Sequence, residues 1–280
     1  MKLNKETLKN HKISQDRALR LRNLGYECGD LEGIIDLLEL GLVDLEVLSL
    51  GDFYKKNPDN GVFNHIINDG EYIIYPLLSR YEKLLHSVFY KINGDYNLIE
   101  KIPLILLGDI EIIDSLQNEN QDKFNNFQNY LITDQFGVYY PVINIIILDT
   151  EKILRFIKEE ELPVPVEYSI FFEKVLLHEL GHWISHELSI NGKIWDDENF
   201  FKSCMDVKEF WANYLSYLMM DDKHRLFLKY LAKEYQSIPY QRYLEAIDKD
   251  SVKVIKLLSQ RENLNWEDLS TEIKSIENLY

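Results

Sequence analysis

The sequence predicts an α+β fold: short strands and one long apolar helix, with helical segments at both ends. Three observations carry this expectation. Two stretches, Ile102 to Leu107 and VYYPVINIIILD ending at Asp149, are rich in β-branched and aromatic residues and too short to be apolar helices. From about Val166 a longer apolar segment runs through VLLHELGHWISH with helical spacing. Beyond Met220 the chain turns charged and stays helical in pattern to its end. With 46% hydrophobic and 28% charged residues in 280, the composition is that of a globular protein able to bury a substantial core.

Taken in order, residues 1–22 are basic, and from Asn23 to Tyr54 there is no Lys or Arg at all. Leu31, Ile34, Ile35 and Leu38, then Leu42, Leu45 and Leu48, recur at helical spacing, with Gly41 as the break between two short helices. A helix-turn-helix is not the expected reading. Its recognition helix would be LVDLEVLSL, whose only charges are negative and would face phosphates. The turn-rich Asn57-Pro58-Asp59-Asn60-Gly61 marks a boundary, so the expected organisation is a helical segment over 1–60, a core over 61–220 and a helical segment over 221–280.

Within the core, Tyr75 to Tyr90 reads as a helix, Ile102 to Leu107 as a buried strand and the Asn-rich stretch from Asn118 to Asn129 as a surface excursion. Leu131-Ile132, a turn over Thr133 to Gly137 and the run ending at Asp149 suggest a hairpin. Pro141 cannot donate to a ladder, which places the strand Val142 to Leu148 at a sheet edge, where it could take up an extended peptide. Composition alone favours the alternative, an internal core strand. A helix over about Glu151 to Glu160, an extended Leu162-Pro163-Val164-Pro165 linker, the long helix and a further helix from Asp206 to about Met220 follow. The helices after Met220 read as packing and scaffold.

Charge removes several function classes. With 31 basic against 47 acidic residues, the net charge of −16 opposes binding to nucleic acid or to an anionic membrane surface. No apolar run approaches the roughly 18 to 20 residues of a spanning helix, and the polar start MKLNKETLKNHKISQDR resembles no export signal, so a cytoplasmic protein is expected. Cys28 and Cys204 stand far apart without a CxxC and read as buried free thiols.

The chemistry lies in His178-Glu179-Leu180-Gly181-His182. Histidines four apart project from one helix face and can place two imidazole nitrogens on one metal ion, Zn2+ being the ion that suits such a pair. Glu179 beside them would act as general base toward a water activated by the metal. A third ligand must come from downstream, because Ser185 and Leu188 occupy the positions of a glycine and a third histidine in the extended motif. Glu209 is the main candidate, with Asn213 one turn on as a hydrogen-bond acceptor for a ligand histidine and Ala212 between them allowing two helices to approach. Asp206 and Glu209 also have the spacing of a capping box, which would employ that carboxylate on backbone amides instead. Asp196, Asp197 and Glu198 are the fallback ligands, and His186 is a substrate-side or packed histidine. Among eighteen tyrosines, Tyr139, Tyr140, Tyr214 and Tyr217, with His224, are the candidates for an assisting donor, and nothing selects one.

The segment HELGHWISH, followed 27 residues after His182 by EFWANYLSYLMM, resembles the ImmA/IrrE family of zincin metallopeptidases. The resemblance runs from the strand near Tyr139 to Met220; the proline that ends the family's second motif is absent, with Met220-Asp221 in its place. It implies His178, His182 and Glu209 as zinc ligands, Glu179 as catalytic base, and a gluzincin-like fold in which a small sheet packs on the active-site helix. Family members commonly cleave or inactivate repressor-type regulators. The expected protein is thus a cytoplasmic zinc metallopeptidase with a zincin-like core, acting on a protein or peptide. The rival is a binding or regulatory protein that keeps this scaffold without turnover, and retention of Glu179 favours the enzyme.

Overall fold

Ile145 to Asp149 is an uninterrupted apolar run capped by an acid, and every residue in it is buried. The backbone N–H and C=O groups of a strand so hidden from water need partners on both edges, and this strand has them. In the computed structural model, residues 23, 46–47, 96–98, 103–108, 136–141, 144–159, 168–190, 193–194, 200, 202–220, 222–258 and 265–278 are described. The strands among them are β1 (Glu46–Val47), β2 (Tyr96–Leu98), β3 (Leu104–Gly108), β4 (Gly137–Tyr140), β5 (Ile145–Asp149), β6 (Leu188–Ile190) and β7 (Lys193–Ile194). The helices are α1 (Thr150–Glu159), α2 (Tyr168–Glu187), α3 (Met205–Met219), α4 (Asp222–Glu234), α5 (Ile238–Gln241), α6 (Ser251–Leu258) and α7 (Trp266–Ser275), with a 3-10 turn over Arg242–Glu245. The architecture is α+β and mostly helical. No described helix is long and apolar enough to cross a membrane. The chain forms two compact units, Met1–Ile74 with Ile102–Leu176, and Tyr75–Lys101 with Leu177–Tyr280.

In the first unit four strands lie in the order β1-β3-β5-β4. β3 and β5 are parallel, Leu104 opposite Ile145, whereas β4 and β5 are antiparallel, Tyr140 opposite Ile145. Two expectations change here. The run VYYPVINIIILD is not one arm of a hairpin but both arms, and Pro141 sits in the connection after β4 rather than within a strand. Asn144, at φ 53°, closes that connection in the left-handed region, which asparagine tolerates better than most residues. The edge position expected for Val142 to Leu148 therefore falls to β4, and β5 is internal. Glu46–Val47, expected in a helix, instead pairs with β3, whose free edge outweighs weak local helical spacing. The helices expected around Leu31 to Leu38 and Tyr75 to Tyr90, and the stretch 118–132, lie outside the described residues.

Asp149 ends β5 and starts α1: its carboxylate accepts the backbone N–H of Lys152 at 2.8 Å, the N-cap bond that relieves an unpaired helix amide. Phe136, Phe156 of α1 and Phe171 of α2 close on one another with ring centroids 5.0–5.1 Å apart. The first turns of α2 are thereby tied to this unit.

The second unit holds the rest of α2, a three-stranded sheet in the order β2-β6-β7, and the helices α3 to α7. α3 is buried nearly all round, with Val207, Phe210, Trp211, Ala212, Leu215 and Met219 among its hidden residues, as expected of a helix that crosses a core. Phe210 stacks on Tyr214 at 5.5 Å and meets Trp266 of α7 at 5.6 Å, so the C-terminal helices share the core of α3. Arg225 of α4 donates to the carbonyls of Tyr217 and Leu218 at 2.8 and 3.0 Å. It satisfies the acceptors that the last turn of α3 leaves open.

Candidate metal centre

Two helices make the centre, and one glycine sets their separation. A Cβ placed on Gly181 would lie 2.6 Å from the Ala212 carbonyl oxygen and 2.9 Å from the Ala212 Cα, so α2 and α3 touch backbone to backbone at this pair. The expected role of Ala212 thus has a counterpart that periodicity does not reveal. One residue from the contact on α2 stands His182, and three residues from it on α3 stands Glu209. The crossing brings them together.

His178 Nε2 lies 3.2 Å from Glu209 Oε2, and His182 Nε2 lies 3.5 Å from Glu209 Oε1. One ligand atom from each of the three residues falls within 4.8 Å of the others. Zinc bonds of about 2.0–2.1 Å in a tetrahedron space their donors about 3.3–3.4 Å apart, so the donor set fits such an ion. The side chains of His178 and Glu209 are 7% and 4% exposed, that of His182 13%, which puts the solvent approach on the His182 side.

The surrounding hydrogen bonds fix which atoms face inward. Asn213 Nδ2 donates to the Glu209 carbonyl at 3.0 Å, which turns Asn213 Oδ1 toward His178 Nδ1, also at 3.0 Å. An amide oxygen only accepts, so Nδ1 carries a hydrogen, and in the neutral ring Nε2 then presents a lone pair. That lone pair points at a carboxylate oxygen. Among the described residues, the buried Glu209 Oε2 finds no hydrogen-bond donor when the His178 ring is neutral. Two acceptors face each other at 3.2 Å, an arrangement that calls for a cation between them. The cation is either a proton or a metal ion.

Electrostatics describe the proton form. Burial raises the Glu209 carboxyl, but His182 and His178 outweigh it and hold the group well below the usual carboxylate range. Burial lowers the basicity of His182, and Glu209, assisted by Glu179, reverses this and leaves its pKa above the ordinary imidazole value. Glu179 is therefore near enough to His182 to be felt, and it is itself buried.

The capping-box alternative does not describe α3. Its N-cap is Cys204, which makes no side-chain cap bond and is exposed, against the expectation of a buried thiol. Asp206 lies inside the first turn and binds Arg242, leaving Glu209 for the histidines. His186 is buried and stacks on Phe200 at 4.4 Å, a packed histidine. Asp196, Asp197 and Glu198 lie outside the described residues. Of the donor candidates, Tyr139 and Tyr140 belong to β4 of the first unit. Tyr214 is locked against Phe210, with burial raising its hydroxyl pKa, and Tyr217 packs on Tyr243 beneath Arg225. His224 is buried on α4. Among the described residues, Tyr240 of α5 is a tyrosine whose ring meets a candidate ligand, stacked on His178 with centroids 5.8 Å apart and planes 28° apart. Sequence reasoning missed it. No protein-family model, curated protein or solved structure matches the chain.

Proposed function

We propose that the protein is a zinc metallopeptidase with a zincin-like centre, in which His178, His182 and Glu209 hold the ion and Glu179 is the catalytic base. The observation that carries this reading is the buried Glu209 carboxylate set against both histidines, Oε2 3.2 Å from His178 Nε2 and Oε1 3.5 Å from His182 Nε2, a spacing that a zinc ion fits. A scaffold that needed only a core would place apolar side chains there, because an unsatisfied buried acceptor costs about 1–3 kcal/mol. The HExxH spacing and the likeness of the two motifs to the ImmA/IrrE family support the same reading.

Zinc held by these three residues would supply Lewis acidity toward a carbonyl oxygen and would lower the pKa of a bound water. Asn213 keeps the His178 ring in the tautomer that leaves Nε2 available. Glu209 brings one negative charge, so the three ligands leave a dipositive ion with net positive charge. Glu179 follows His178 directly on α2 and is not one of the three clustered donors. Its carboxylate accepts the proton of the attacking water and passes it to the leaving amine. The experiment is cleavage of an unbiased peptide mixture by zinc-loaded protein and by Glu179→Gln. The expected outcome is new termini with the wild type alone, while both bind one zinc. Equal cleavage by the two would remove Glu179 from the reaction, and zinc binding with no cleavage by either would favour a non-catalytic regulatory scaffold.

A further inference from the structure

We propose that Tyr240 is a positioning residue for the metal centre, acting through His178, and that the segment Ile238–Arg242 is latched onto α3 to hold it there. This rests on the zinc reading above and extends the site into a part of the chain where sequence spacing offers no motif.

Each feature of the His178 imidazole is occupied by a different residue. Nδ1 is held by Asn213 of α3 at 3.0 Å, Nε2 is turned to Glu209, and the His182 ring stands edge-on at 4.7 Å and 86°. Two hydrogen-bonding directions fix the axis of an imidazole but leave it free to rock about the line joining its nitrogens. A ring stacked on its face removes that freedom, and the Tyr240 ring at 28° is such a surface.

The segment carrying Tyr240 is anchored at several points. Arg242 Nε donates to Asp206 Oδ1 at 2.6 Å, three residues before Glu209 on α3. Its guanidinium lies 4.7 Å from the Trp266 ring centroid, and Nη1 is 3.7 Å from Glu245. Gln241 Nε2 donates to the Gln236 carbonyl at 2.7 Å, closing the turn that leads into α5. Pro239 at the start of α5 stiffens its first turn. Asp206 is thus taken from helix capping and used to fasten Tyr240 beside His178.

The test is cobalt(II) binding by the full chain, read as competition affinity and as the visible d–d spectrum, which reports the geometry of the ligands. Tyr240→Phe keeps the stacked face and should match the wild type in both readouts. Tyr240→Leu keeps bulk but not the flat ring and should bind cobalt about ten-fold or more weakly with an altered spectrum. Arg242→Gln, which loosens the latch without touching the site, should shift the spectrum in the same direction and less. Unaltered affinity and spectrum in Tyr240→Leu would overturn the proposal, as would a Tyr240→Phe defect equal to that of Tyr240→Leu, since the hydroxyl rather than the ring face would then act. A wild type that takes up no cobalt would instead overturn the metal reading itself. Circular dichroism of each variant separates misfolding from a change at the site, and Tyr240→Trp, which restores a flat face, should recover the spectrum if Tyr240→Leu loses it by misfolding.

Discussion

The sheet of the first unit and the α2–α3 crossing of the second both bury a carboxylate, and they treat it in opposite ways. Asp149 is 1% exposed and spends its charge on a helix: it caps α1 through the Lys152 amide at 2.8 Å, within a strand whose other residues are apolar. Glu209 is 3% exposed and its Oε2 faces His178 Nε2 at 3.2 Å, with no backbone amide capped by it among the described residues. The first carboxylate is consumed by the fold. The second is turned to two histidines, one of which is oriented by a network, Glu209 carbonyl to Asn213 to His178, that keeps the donors aligned. A buried acid thus points to chemistry when it is turned to histidines rather than spent on a helix cap.

The largest expected effect breaks this contrast at its centre. Glu209→Ala should cost more zinc affinity than the about 100-fold that removal of an outer hydrogen-bond partner costs. Asp149→Ala should cost about 1 kcal/mol of stability through loss of the cap and leave zinc binding alone. Competition titration and thermal melts of the two variants side by side check both statements.

Next comes the crossing itself. Gly181→Ala places a methyl 2.6 Å from a backbone oxygen that cannot rotate away, so the helices must part. Overpacking of this kind costs about 1–3 kcal/mol, seen as a lowered Tm, and zinc binding should weaken with it because Glu209 recedes from both histidines. Asn213→Ala should have a smaller effect, about 10- to 100-fold on zinc affinity, while the fold persists. A loss of zinc affinity in Gly181→Ala smaller than in Asn213→Ala would show that helix spacing is not what assembles the donors.

The smallest effect is on pH. In metal-free protein the raised pKa of His182 contributes stability that is present below the unfolded value and lost as pH rises through the folded one. The lowered pKa of Glu209 contributes stability that is present above its unfolded value and lost as pH falls through the folded one. The pair therefore stabilises the metal-free chain between those limits. Zinc must displace the proton from His182, so its apparent affinity should rise with pH until the raised pKa is passed and then level off. Zinc titrations across about pH 6 to 8 read the slope, and a flat profile would mean that His182 is not protonated in the metal-free protein.

What could be read from the chain alone was whatever lies within one helix or strand. His178, Glu179 and His182 are legible because a four-residue spacing is one helical turn, and Glu209 and Asn213 share a face for the same reason. The parallel neighbour of β5 was not legible, since Ile102 to Leu107 carries no mark of its partner, and Pro141 misplaced the edge because it terminates β4 rather than interrupting a strand. Gly181 looked like one more uncharged residue of the motif. Its function is set by Ala212, thirty-one residues on, and a contact between helices has no period in the sequence. Tyr240 was hidden for the same reason. It lies sixty-two residues beyond His178, in a segment expected to be scaffold, and a ring contact joins it to His178.

Metal content tests the central claim most directly. Elemental analysis of the chain purified with zinc present should find one zinc per wild-type molecule, retained in Asp149→Ala and Glu179→Gln and lost in Glu209→Ala. Wild-type protein without stoichiometric zinc under those conditions, or Glu209→Ala with zinc undiminished, would contradict it.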